Sequence, residues 1–148
     1  MKKKLELKGN SAVTCYIQLL QNNISRMSTQ SGIIKASMCV IYTIVATFIN
    51  SIETMNCYLW ITLPVTLFIA IIDSYYLAME HIYINKYNEF INDINSNNLD
   101  IEKIYNMNPR SSSCRYELLI KTLYSLKSFS ILGFYGLFVV LTIILYFI

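Results

Sequence analysis

All twelve Lys and Arg residues of this chain lie outside positions 36–85 and before position 128. Three long apolar runs occupy the ground they leave: 33–50, 57–77 and 131–148. An α-helix rises ~1.5 Å per residue, so a run of about 18 residues reaches ~27 Å, close to the hydrocarbon thickness of a bilayer. The link between the first two runs, 51–56, carries no cation and one acid, Glu53. The flanks 1–34 and 80–130 carry every cation except Lys35, and positive flanks stay on the cytoplasmic side. The pattern predicts an all-α membrane protein with three transmembrane helices and short cytoplasmic helices. The whole chain, 1–148, forms one membrane domain. Residues 1–31 are a cytoplasmic N-terminal helix, 33–50, 57–77 and 131–148 are the spans, and 80–130 is a cytoplasmic helical segment.

Composition narrows the alternatives. With 55% apolar residues in a 148-residue chain and roughly 60 of them committed to lipid, what remains is too short for a large soluble core. The Lys2-Lys3-Lys4 start is not followed by the apolar stretch of a signal peptide, because 9–31 is mixed and polar; the start is expected to be retained. Cys15, Cys39, Cys57 and Cys114 are scattered, without metal-ligand spacing, and no disulfide framework is expected.

Within 11–30, Val13, Ile17, Leu20, Ile24 and Met27 recur at helical spacing. They predict an amphipathic helix lying along the inner membrane surface or under the bundle. Cys39, Thr43, Thr47 and Asn50 share one face of the first span. Such groups either bond their own helix's carbonyls or a neighbouring helix, or line a pore when several copies assemble. Pro64 in the second span frees a carbonyl. Tyr76, Glu80, Tyr83, Tyr87 and Phe90 carry that helix on to about Ile94, before the break at 95–98. A short helix is expected over 99–106, a loop over 108–113 and a further helix over 115–127, with Tyr116, Leu119, Ile120, Leu123 and Leu126 as its apolar face. Gly133 and Gly136 in the third span offer close helix approach.

Counting ~20 residues inward from the outer turn on each side puts Lys35 and Asp73 at one depth, about a turn inside the membrane. Each alone is penalised there by ~2.5–3.5 kcal/mol on insertion scales. An ion pair is expected, either as a structural clamp or as a gate latch. Asp73, Glu80 and His81 are the nearest approach to a catalytic or metal constellation. No phosphate-binding glycine loop, nucleophile elbow or Cys/His cluster accompanies them, so neither enzyme, metal nor cofactor is expected. The cytoplasmic part interleaves cations with rings. Arg26, Lys86, Arg110 and Arg115, with Tyr83 and Tyr87 as platforms, suit an anionic ligand such as a nucleotide or single-stranded nucleic acid. The same cations also satisfy the topology rule and bind anionic lipid heads.

Several runs resemble a known family. They are Ile24-Ser25-Arg26-Met27 with Ser31 and Lys35, Leu63-Pro64-Val65, and Asp73-Ser74-Tyr75-Tyr76-Leu77 followed by Glu80, Tyr83 and Tyr87. Ser128 and Ser130 before Phe134-Tyr135-Gly136 complete the set. The match covers most of 19–87 and 125–137. It resembles the small multi-span membrane effectors of bacterial anti-phage defence operons that encode nucleotidyltransferases, closest to the Hailong-type channel effectors. The family often places Arg after the Glu of its second-span motif, whereas Ile82, Tyr83 and Ile84 stand here; Lys86 is the nearest substitute. The resemblance implies a homo-oligomeric channel of the bacterial inner membrane, controlled by a nucleotide or single-stranded DNA oligomer from the operon's nucleotidyltransferase. It implies membrane depolarisation and abortive infection. Two alternatives stay open: a non-channel membrane anchor for a cytoplasmic partner, and a phage-derived holin or exclusion protein.

Overall fold

The structure, a computed structural model, describes residues 11–49, 56–96 and 115–147. Among these the chain is all-helical: α1 (Ser11–Ile49), α2 (Asn56–Asn95), α3 (Arg115–Ser125) and α4 (Phe129–Phe147). Two helices are long and apolar enough to cross a membrane, and a third span arises if the bent pair α3–α4 counts as one. The helix expected over 99–106 and the loop over 108–113 lie outside the described residues.

α1 and α2 contain 39 and 40 residues, which is ~60 Å each at 1.5 Å per residue. They form a long antiparallel pair, about twice the thickness of a hydrocarbon core. The two ends of the pair are built differently. At the open end, Val13, Tyr16 and Leu20 of α1 interlock with Met79, Tyr83 and Phe90 of α2. The Tyr16 and Phe90 rings meet edge to face at 4.6 Å, the arrangement their quadrupoles favour. Toward the loop end, Met38 of α1 and Ala70 of α2 join Ile131, Tyr135 and Phe138 of α4 in a second cluster. α2 is therefore the central helix, and α3 and α4 both pack on it.

The stripe Val13–Met27 does not belong to a separate surface helix. α1 runs unbroken from Ser11 to Ile49, so this segment is collinear with the first apolar run and packs on the far half of α2. The reason is partner availability: α2 also continues well past its apolar run, and its ring-rich face needs cover. α2 passes through Pro64 as one helix. It closes at Ser96, whose amide and hydroxyl both bond the Asn92 carbonyl, at 2.9 and 2.8 Å, satisfying a carbonyl that a helix end leaves open.

α3 and α4 meet at a 58° bend. Tight backbone bonds from Lys127 to Tyr124 and from Ser128 to Ser125 keep the amides of the elbow paired. α3 turns Leu118, Thr122 and Ser125 inward. Of the expected apolar face, Leu119, Ile120 and Leu123 are exposed, while Leu126 packs against the second cluster. The periodicity marked an apolar face correctly but not which way it turns. Gly133 and Gly136 have nothing within 4 Å of where a Cβ would stand, so neither serves a close helix crossing within one copy.

Candidate functional site

Three inward-facing stripes with steps of three and four residues meet in the middle of the molecule. α1 contributes Ser31, Lys35, Met38 and Tyr42; α2 contributes Thr62, Thr66, Ala70 and Asp73; α4 contributes Ile131, Tyr135, Phe138 and Thr142. Steps of four and three residues keep each stripe on one helical face. Most of the contacts are apolar, and two levels are polar.

The first polar level centres on Asp73, whose side chain has 0% exposure. Ser31 Oγ donates to its Oδ1 at 2.5 Å. Tyr135 Oη donates to its Oδ2 at 3.2 Å. Lys35 Nζ stands 3.6 Å from Oδ2 with its own side chain 25% exposed, and donates to Ser130 Oγ at 3.0 Å. One carboxylate on α2 thus ties α1 and α4, and Lys35 carries the link onward to the start of α4. An isolated buried charge is very costly; hydrogen bonds to both oxygens plus a cation offset that cost. Ser74, equally buried, bonds the Ile71 carbonyl at 2.9 Å and asks for no outside partner.

The second level lies toward the loop end. The Thr142 hydroxyl meets Tyr42 Oη at 3.1 Å and Thr62 Oγ1 at 3.5 Å, again one group from each helix. Tyr42 and Phe138 stack edge to face at 4.9 Å beside it. No buried side-chain polar atom among the described residues lacks a partner, as apolar surroundings require.

The residues singled out in the sequence fall into three groups. Lys35 and Asp73 are brought together, with Ser31, Ser130 and Tyr135 closing around them. Cys39, Thr43 and Thr47 are exposed on α1. Thr43 Oγ1 donates to the Cys39 carbonyl at 2.8 Å and Thr47 Oγ1 to the Ile44 carbonyl at 2.7 Å, so their hydroxyls are satisfied within α1. Asn50 lies outside the described residues. Of the cation-and-ring set, Arg26, Lys86, Tyr83 and Tyr87 fall within the described residues. Arg26 is exposed on α1. Lys86 is half-buried, and desolvation holds its ammonium below the usual lysine range, partly countered by the Glu89 carboxylate. Tyr83 is 9% exposed within the open-end core and Tyr87 packs against it; Tyr83 is a packing ring, not an open platform. Arg110 lies outside the described residues, as does the side chain of Arg115. Glu80 stands apart from the Asp73 junction, and no group of His, Cys, Asp or Glu among the described residues is placed to hold a metal ion.

Sequence reasoning gave no role to the Tyr42–Thr62–Thr142 level. Each apolar run carries several hydroxyls, and nothing in their spacing singles out these three. No family model, curated protein or solved structure matches this chain.

Proposed function

We propose that the chain is a three-span protein of the bacterial inner membrane, N-terminus cytoplasmic, that assembles with copies of itself into a regulated ion pore. An anionic nucleotide or DNA-oligomer ligand on the cytoplasmic side sets its state. Depolarisation of the membrane then serves anti-phage defence by abortive infection, as the resemblance of its motifs implies.

The observation that carries this reading is the Asp73 junction. A buried ion pair stabilises no more than apolar packing of the same shape, and ionisable groups in apolar helices mark functional sites. Here one carboxylate holds three helices through contacts that a small helix shift would break together. Such a junction suits a two-position latch. One copy encloses no pore, so conduction requires an oligomer. The outward face of α1 with Cys39, Thr43 and Thr47 is the surface that assembly would turn toward a shared axis.

The test is to purify the protein in detergent, measure its mass and identify co-purifying nucleotides. Short single-stranded DNA is then titrated at two salt concentrations, with wild type beside Arg110→Ala/Arg115→Ala. An oligomer with steep inverse salt dependence of binding is the expected result, because phosphate contacts release counterions. A monomer that binds no oligonucleotide at low salt would sink the reading.

A second reading, a non-channel anchor, is favoured by the length of the α1–α2 pair. Its open-end half extends ~30 Å beyond what a bilayer covers and offers a rigid stalk to a cytoplasmic partner. A monomer that carries no ion flux in vesicles would favour it.

A further inference from the structure

A groove runs between α2 and the α3–α4 elbow, starting one helical turn past Asp73. Its volume is about 610 Å³, within the ~300–1,000 Å³ of small-molecule sites. Leu77, Ile82 and Ile120 form apolar walls, while His81, Lys121 and Lys127 supply nitrogen donors. A free nucleotide needs little greasy wall, and a neutral lipid needs no lysine pair. Apolar walls beside two ammonium groups fit an anionic amphiphile.

Its level in the molecule supports the same ligand. Leu77 ends the second apolar run, and Lys127 sits in the bend where the third begins. In a three-span membrane protein that level is the boundary between hydrocarbon and headgroups. α3 continues from this bend with Leu119, Ile120 and Leu123 facing away from the bundle, and Phe129 at the elbow is 92% exposed. An amphipathic helix with such a face lies in the interface plane, its apolar residues among the upper acyl carbons. The groove and this face are continuous through Ile120.

We propose that the groove binds one anionic phospholipid. Lys121 and Lys127 hold the headgroup phosphodiester, and the acyl chains run along Leu77 and Ile120. The proposal rests on the membrane reading above and is independent of the channel.

Wild-type protein is reconstituted into vesicles of phosphatidylcholine alone and of phosphatidylcholine with phosphatidylglycerol, extracted mildly, and its retained lipid counted by native mass spectrometry. Insertion into phosphatidylcholine vesicles reads the membrane assignment by itself; failure there overturns both it and the proposal. Wild type is expected to retain phosphatidylglycerol in preference to phosphatidylcholine. Lys121→Gln/Lys127→Gln should lower that preference about thirtyfold, from roughly 1 kcal/mol per cation near an anionic surface. Ile82→Trp, which fills the groove and leaves both lysines, should lower it as well. Thr29→Ala, exposed on α1 and outside the groove, should leave it unchanged. Equal retention of the two lipids by wild type overturns the proposal, as does a preference that survives both groove variants. Displacement of the bound lipid by a short oligonucleotide would overturn the lipid assignment in favour of a nucleotide phosphate.

Discussion

At the residue scale the molecule turns on one carboxylate. Depth counting in the sequence put Lys35 and Asp73 at one level, and the structure sets Nζ 3.6 Å from Oδ2. The partners at the other oxygen sites were harder to read. Ser31 and Tyr135 looked like ordinary members of a polar flank and an apolar run, and only the packing of three helices brings their hydroxyls to Asp73. Asp73→Ala should destabilise the protein by about 3 kcal/mol, the low end for a broken buried pair because Lys35 is partly exposed; detergent-solubilised thermal unfolding reads it. Asp73→Lys should be at least as damaging, and Lys35→Asp/Asp73→Lys should recover part of the loss, through a coupling of ~0.5–3 kcal/mol. A double variant no better than the worse single one would show that the pair is incidental. Tyr135→Phe removes one O–H donor to a charged acceptor and should cost ~1.5–3 kcal/mol; a loss below half a kcal/mol would exclude a bond to the carboxylate.

At the element scale the sequence spoke clearly about periodicity and poorly about direction. The stripe from Val13 to Met27 marked a helix, read as distinct from the first span; the structure runs the two together, because the prolonged α2 gives the stripe a partner. Gly32 sits in the middle of α1 with nothing near its missing Cβ. Gly32→Ala should therefore stabilise the protein by ~0.5–1 kcal/mol through helix propensity. Destabilisation in the same unfolding assay would mean that α1 bends there or meets another copy. In α3 the apolar face was legible and its outward orientation was not. That choice is made by Leu118, Thr122 and Ser125, which fit the surface of α2 while the larger side chains of the helix face away.

At the scale of the whole molecule, the all-helical architecture and its long apolar helices were legible, because charge-free runs of that length have few other uses. Tyr83 was read as a platform and serves as core, since a ring at helical spacing packs against a neighbouring helix as readily as it awaits a ligand. The cation distribution predicts sidedness. In a cysteine-free background, single cysteines at Asn10 and Asn97 should label only from the cytoplasmic side and one at Asn56 only from outside. External labelling at 97 would exclude three spans. The central claim, an oligomeric pore lined by the outer face of α1, is tested most directly by recording current across a planar bilayer holding the purified protein. Wild type should give discrete conductance steps, and Thr43→Leu/Thr47→Leu should shrink them while the mass of the oligomer stays the same. A protein that inserts as an oligomer and passes no current, with or without its nucleotide-type ligand, would contradict the account.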